Sequence, residues 1–188
     1  ELGRTSLERA GYREVGMDHF ALESDSLWAA SLEGTLHRNF MGYTVRQVAP
    51  LIGLGVSAIG DSWGAFAQNE KLLETYEARV LRGELPIQRG HVLSEEDQVI
   101  RRHILNLMTR FETDWSSSSS QTPYIVHEVP GRLDELRRDG FVELDEKKCR
   151  ITRDGRPFLR NVCMAFDAKL ARQSAATSQA SPVFSKTI

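Results

Sequence analysis

Between Leu32 and Asn69 the chain reads "LEGTLHRNFMGYTVRQVAPLIGLGVSAIGDSWGAFAQN". His37, Arg38, Asn39, Phe40, Gly42 and Tyr43 sit close together, and Asp61, Trp63, Gln68 and Asn69 follow. An arginine can grip a carboxylate with two parallel hydrogen bonds, which a lysine cannot do. An asparagine offers both a donor and an acceptor. Phe and Tyr can cover the flat face of an adenine or a pyrrole. These side chains hold a ligand; none is a nucleophile paired with a base. A structured loop over the end of a barrel would use the same residue types, and composition does not separate the two.

Other chemistry is thinly supplied. The five histidines, at 19, 37, 91, 103 and 127, include no pair at the i, i+4 spacing of helical metal ligands. His19 and His37 alone would make a weak metal signal. His19 follows Asp18 at the end of a predicted strand, where (β/α) barrels collect catalytic groups; a buried, hydrogen-bonded strand histidine accounts for it equally well. Gly53 and Gly55 form a G-x-G without the helix of a dinucleotide fingerprint. Cys149 and Cys163 are the two cysteines. They read as packing residues, too few for an iron–sulfur cluster.

The elements that must position these groups are partly legible. A helix over Thr5–Ala10 stops at Gly11, and a strand over Tyr12–Ala21 leaves it. Asp25 caps a helix ending at Gly34. Leu51–Ile59 reads as a buried strand or turn whose glycines admit close backbone or a ligand. Glu70–Arg82 is a helix with Leu72, Leu73, Tyr76 and Val80 on one face. "GELPIQRGHVL" is a break that divides the chain near Pro86–Leu93. Ser94 and Asp97 resemble a capping box, opening a helix whose core face carries Val99, Ile104, Leu107, Met108 and Phe111. "DWSSSSSQTP" is a polar loop. A helix with Leu133 and Leu136 ends at Gly140, a hairpin turns at Asp145–Lys148, and Thr152 caps a last helix. The chain opens without Met, as if on the second half of a βα repeat, so a piece of a longer protein is expected.

The 188 residues are 40% hydrophobic and 27% charged, with a formal net charge of −2, enough for one good domain or two small ones. No apolar run approaches the roughly 18 residues of a membrane span, and the start lacks a signal peptide's apolar core. Two cysteines make no disulfide framework, so a cytoplasmic setting is expected. Helix, helix, hairpin and helix in the second half suggest a winged helix, hence either DNA binding or a scaffold. From Pro130 to Arg160, nine basic residues face seven acidic ones. Phosphate contact needs a clearer positive excess.

The segments "GMDHFA", "GTLHRNFMGYT", "GLGVSAIGDSWGAFAQN", "LRGELPIQRGHVLSEEDQVIRRHILNLM" and "ITRDGRPFLRNVCMAFDAKL" together resemble the C-terminal part of oxygen-independent coproporphyrinogen III oxidases. The resemblance covers nearly the whole chain. It implies a radical S-adenosylmethionine enzyme of haem biosynthesis that turns two propionates of coproporphyrinogen III into vinyls, giving protoporphyrinogen IX. It implies a fold that is α+β: the end of an incomplete (β/α) barrel over residues 1–85, a helical winged-helix-like domain over 86–173, and a tail over 174–188. S-adenosylmethionine and a 4Fe-4S cluster are the implied cofactors. Three cysteines of a C-x-x-x-C-x-x-C motif hold the cluster in that family, and this chain has no such motif. The chain alone is therefore expected to carry no catalytic or metal-binding residue and to be inactive. Phe40, Met41 and Ile59 stand at positions that lie beside bound S-adenosylmethionine in the family, at a second molecule of it where one is seen. Phe40 and Ile59 match in kind, whereas a glutamine stands at the Met41 position in a family member, so an amide's hydrogen bonds to that second molecule are missing here. His19, Arg38, Asn39 and Tyr43 are expected to line the site, with Arg38 facing a propionate. The implied partners are coproporphyrinogen III and an N-terminal barrel domain of the same, monomeric protein, without nucleic acid or membrane. A porphyrin- or haem-binding chaperone-type paralogue and a winged-helix DNA-binding module are the alternatives.

Overall fold

The computed structural model of the chain describes residues 2–48 and 50–176. The tail expected over 174–188 therefore lies, from residue 177 on, outside the described residues. The architecture mixes helices with small antiparallel sheets.

Helix α1 (Leu2–Arg9) leads to strands β1 (Tyr12–Gly16) and β2 (His19–Leu22), which pair antiparallel. The single strand expected over Tyr12–Ala21 is thus a hairpin. Its turn passes through Asp18 at φ 55°, a left-handed conformation that Asp adopts more readily than most residues. Helix α2 (Ser26–Glu33) begins where the Asp25 carboxylate accepts the Leu27 N–H at 2.8 Å and ends at left-handed Gly34. Strands β3 (His37–Asn39) and β4 (Gly42–Thr44) form a second tight hairpin.

The glycine-rich segment after it is a loop anchored by one bridge, Leu51 to Asp61. The amide of buried Asn69 donates to the carbonyls of Gly53 and Gly55, both at 2.9 Å. A side chain at Gly53 would collide with the backbone at Ile59, so backbone does approach closely there. Strands β5 (Ile59–Asp61), β6 (Ala65–Asn69) and β7 (Ile87–Val92) build one antiparallel sheet, with α3 (Leu73–Leu81) between β6 and β7 in sequence. The expected break near Pro86–Leu93 holds β7, hydrogen-bonded to β6. The apolar face expected on α3 is present but uncovered: Leu72, Leu73 and Val80 are exposed, and no α3 residue is buried.

Helix α4 (Glu95–Arg110) starts with the expected capping box. Ser94 Oγ accepts the Asp97 N–H at 3.1 Å, and Asp97 Oδ2 accepts the Ser94 N–H at 3.0 Å. Strand β8 (Glu112–Asp114), helices α5 (Pro123–His127) and α6 (Val129–Arg138), and strands β9 (Val142–Leu144) and β10 (Lys148–Ile151) follow. The sheet order is β8-β10-β9. Thr152 starts no long helix. Its hydroxyl accepts the Gly155 N–H at 3.0 Å, a short 3-10 turn follows, and α7 (Leu159–Phe166) begins only at Leu159. The chain leaves helical geometry at Asp167, whose carboxylate accepts the Leu170 N–H at 2.9 Å at the start of α8 (Ala168–Ala176).

Two apolar clusters result. One gathers Leu107, Trp115, Tyr124, Leu133, Leu159 and Phe166 between α4 and α8. The other gathers Val15, Ala21, Ala30, Leu36 and Tyr43. Polar contacts join them. Glu14 on β1 is 7% exposed and takes Arg4 at 2.7 Å and Arg156 at 2.8 Å. No described helix is long and apolar enough to cross a membrane.

Candidate ligand-binding site

Hairpin β3–β4 lies against α4, and the side chains at that seam frame a cavity of about 390 Å³. Arg38, Asn39 and Phe40 enter it from the hairpin, Asp61 and Phe66 from β5 and β6, and Ile100, Ile104 and Met108 from α4. Alternation decides which strand residues face it, because Asp61 and Phe66 are cross-strand partners on one face of the sheet.

Asp61 is the anchor. Its carboxylate is buried and takes both terminal nitrogens of Arg101, Nη1 at 3.0 Å. The same guanidinium donates to the Trp63 carbonyl at 3.2 Å and lies 4.3 Å from the Trp63 ring centroid and 4.9 Å from that of Phe66. Phe40 meets Phe66 edge-on at 5.3 Å. Two rings set edge to face and a fixed cation thus make one wall of the cavity.

Arg38 is held unusually. Nη1 donates to the Met108 sulfur at 3.4 Å, the guanidinium sits 5.2 Å from the Tyr43 centroid, and buried Nε has no partner. A thioether is a weak acceptor, so Arg38, which lines the cavity, has its Nη1 only weakly engaged. Tyr43 is fixed from both sides: its hydroxyl accepts the Met17 N–H and donates to the Met108 carbonyl, both at 2.8 Å. Burial pushes this phenol above its ordinary range.

The residues expected at the site are placed differently from one another. Arg38, Asn39 and Phe40 line the cavity. Met41 is 85% exposed outside it, its N–H donating to Asn39 Oδ1 at 2.8 Å. Ile59 is two residues before Asp61 on β5, hence on the same sheet face, but does not line the cavity. His19 is exposed, donates from Nδ1 to the Met17 carbonyl at 2.7 Å and touches the Tyr43 ring edge-on at 4.7 Å. It begins the second strand of a hairpin rather than ending a barrel strand. Tyr43 lies beneath the cavity as a strut between the hairpin and α4.

Arg101, Phe66 and Met108 escape sequence reasoning as site residues. Arg101 and Asp61 are 40 positions apart, and no periodicity links a strand carboxylate to a helix arginine at that range. The cysteines do not fit a cluster. Cys149 and Cys163 are buried and free, and burial pushes both thiols up to about 12, far from the thiolate a metal needs. Among the described residues no group of three or more His, Cys, Asp or Glu could hold a metal ion.

The fold has a counterpart. A solved structure of coproporphyrinogen III oxidase from Escherichia coli, described as a radical SAM enzyme, superposes with a TM-score of 0.82 at 38% identity, over 90% of this chain and 40% of that one. The described residues therefore fold as part of a radical SAM enzyme does. Relatives named oxygen-independent coproporphyrinogen III oxidase agree. The protein of Salmonella typhimurium is 39% identical over 183 residues, 95% of this chain and 40% of its own length. That of Thermostichus vulcanus is 38% identical over 188 residues, 97% of this chain and 56% of its own length. The chain is a homologue of oxygen-independent coproporphyrinogen III oxidases, and it spans about 40% of the length of the first of these curated relatives. No protein-family model matches it.

Proposed function

We propose that this chain forms the C-terminal part of a cytoplasmic enzyme that oxidatively decarboxylates two propionates of coproporphyrinogen III to vinyls through a 5′-deoxyadenosyl radical. The observation that carries the reading is the cavity between β3–β4 and α4: Arg38, whose Nη1 is held only by a thioether, shares its lining with Phe40 and Phe66. That is the chemistry of a carboxylate on a ring system. S-adenosylmethionine supplies the radical when bound to a 4Fe-4S cluster held by the remainder of the protein, its N-terminal barrel domain. In this reading Phe40, Met41 and Ile59 lie toward the adenosyl group, and His19, Asn39 and Tyr43 complete the border of the site.

Two units make up the chain in this account. The first closes the barrel and includes β7, which its hydrogen bonds join to β5 and β6. The division, expected near Pro86–Leu93, then falls toward the end of that span, just after Val92. The second, from α4 to α8, is a winged-helix-like scaffold with β9 and β10 as its wing. Around α6 and the wing, Arg137 pairs with Asp134, Arg150 with Glu112 and Glu143, and Arg153 with Glu8. Nine basic against seven acidic residues over 130–160 make no clear positive excess there for a phosphate backbone, which favours the scaffold. The test is a titration of the chain with coproporphyrin III and, separately, with haem, read by the Soret band. A shift with coproporphyrin III that Arg38→Ala weakens supports the enzyme reading. A shift with haem alone moves the chaperone-type reading ahead.

A further inference from the structure

Behind the Asp61–Arg101 pair lies a second and larger hollow, a groove of about 1080 Å³ between α4 and the segments around Gly34–His37 and Val45–Gln47. Four arginines line it, Arg46, Arg101, Arg102 and Arg110, and no carboxylate does. That is a local excess of cation on a chain of net charge −2. Arg101 is neutralised by Asp61 at the groove's edge. The other three have no acidic partner among the described residues. Arg102 donates to the Ser119 carbonyl at 2.6 Å and Arg110 to the Gly34 carbonyl at 2.9 Å. Those bonds aim the guanidinium groups and leave their charge uncompensated. Arg46 has no side-chain bond among the described residues. His37, buried beside Arg101, carries an imidazole pushed down by burial and then by that arginine, so it is neutral at pH 7 and does not add to the repulsion.

Like charges gathered without counter-charge repel, and side chains of this length are free to spread into water. Two of these are instead tied to backbone carbonyls, and both line one concavity. We propose that this groove is an anion site, distinct from the cavity on the other side of Arg101, for a small molecule bearing two or more carboxylates. The guanidinium fork matches carboxylate geometry with paired hydrogen bonds. Trp63 and Leu105 supply an apolar wall for the body of the ligand. A long nucleic-acid backbone does not suit the groove, because the surrounding surface lacks the positive excess that phosphate tracks require. The carboxylates can belong to a tetrapyrrole or to a simple organic acid. Only the first source rests on the function proposed above.

Binding to the 188-residue chain distinguishes these. Citrate is titrated calorimetrically at low and at physiological salt, and coproporphyrin III is titrated by absorbance with and without citrate. Citrate is expected to bind saturably and to weaken with salt. Arg46→Gln is expected to lose about tenfold in affinity, the scale of one hydrogen bond to a charged group. Arg102→Gln is expected to lose at least as much, and Arg150→Gln, on the distant strand β10, to bind as the parent does. Arg46 supports no other part of the fold, so its substitution tests the site without the risk of unfolding. Displacement of coproporphyrin III by citrate identifies the tetrapyrrole as the source. Citrate binding without such competition keeps the anion site and removes the tetrapyrrole from it. Absence of saturable citrate binding, or equal affinity in Arg46→Gln and the parent, overturns the proposal.

Discussion

The guanidinium of Arg101 on α4 grips the carboxylate of Asp61 on β5, with Nη1 at 3.0 Å from Oδ1, while stacking over Trp63 at 4.3 Å. One residue pair thereby fixes the sheet to the helix, forms a wall of the ligand cavity and borders the arginine-lined groove behind it. Asp61 is 8% exposed. Asp61→Asn leaves the Arg101 side chain, 14% exposed, without its counter-charge, and about 3–5 kcal/mol of stability should be lost. Arg150→Gln, which breaks an exposed pair with Glu112, should cost about 1 kcal/mol or less. Urea unfolding of the two variants beside the parent checks the contrast. Equal midpoints would mean that Asp61 and Arg101 are not joined in solution.

Tyr43 carries the second link between hairpin and helix. Tyr43→Phe leaves the Met17 N–H and the Met108 carbonyl without their partner and should cost about 1–3 kcal/mol. Gly16 is constrained by the same ring: an added Cβ would stand 2.2 Å from Tyr43 Cζ. Gly16→Ala must therefore displace Tyr43, and a loss of about 1–3 kcal/mol is expected from the overpacking. In the Tyr43→Phe background the hydrogen bonds at stake are already gone, so the two losses should not add. A double-mutant cycle by thermal melting measures this.

How much of this was legible in the sequence depends on the range of the interaction. The Ser94–Asp97 capping box, the Asp25 cap with its Gly34 stop, and the turn at Asp145–Lys148 are short-range and appear where the sequence places them. Tyr12–Ala21 reads as one strand because the left-handed position of its turn is held by Asp18 and not by a glycine. The face of Leu72, Leu73 and Val80 on α3 was readable as a pattern, but not that the described residues leave it uncovered. At the site, Arg38, Asn39 and Phe40 were visible as a cluster because they are adjacent in sequence. Arg101, Phe66 and Met108 were not, because only the packing of β5, β6 and α4 brings them to the same cavity.

Stability should fall as pH drops below about 6.5. Burial pushes His103 below its ordinary 6.5. Its Nε2 donates to the Ser120 carbonyl at 2.8 Å, so neutral Nδ1 accepts from the Thr113 hydroxyl at 2.7 Å. His37 is also pushed down, by burial and by Arg101. Between the unfolded value and the lowered folded value, the unfolded chain binds more protons, and stability rises with pH. The loss is therefore absent well above 6.5 and grows below it. Urea midpoints from pH 8 to pH 5 should decline in the parent and decline less in His103→Gln. A flat profile in the parent would contradict neutral burial of these rings.

Cys149 and Cys163, with thiols pushed up to about 12 by burial, should resist a thiol reagent in the folded protein and react fully in denaturant. Rapid native-state labelling would show that the α4–α8 core opens locally.

The most direct measurement replaces the matching segment of the Escherichia coli oxidase with this chain and assays the chimera anaerobically. The cluster is reconstituted, S-adenosylmethionine and coproporphyrinogen III are supplied, and protoporphyrinogen and 5′-deoxyadenosine are followed. The account predicts both products, and a raised KM for coproporphyrinogen III when Arg38 is changed to Ala. A chimera that folds, holds its cluster and cleaves S-adenosylmethionine, yet leaves the porphyrinogen untouched, would contradict it.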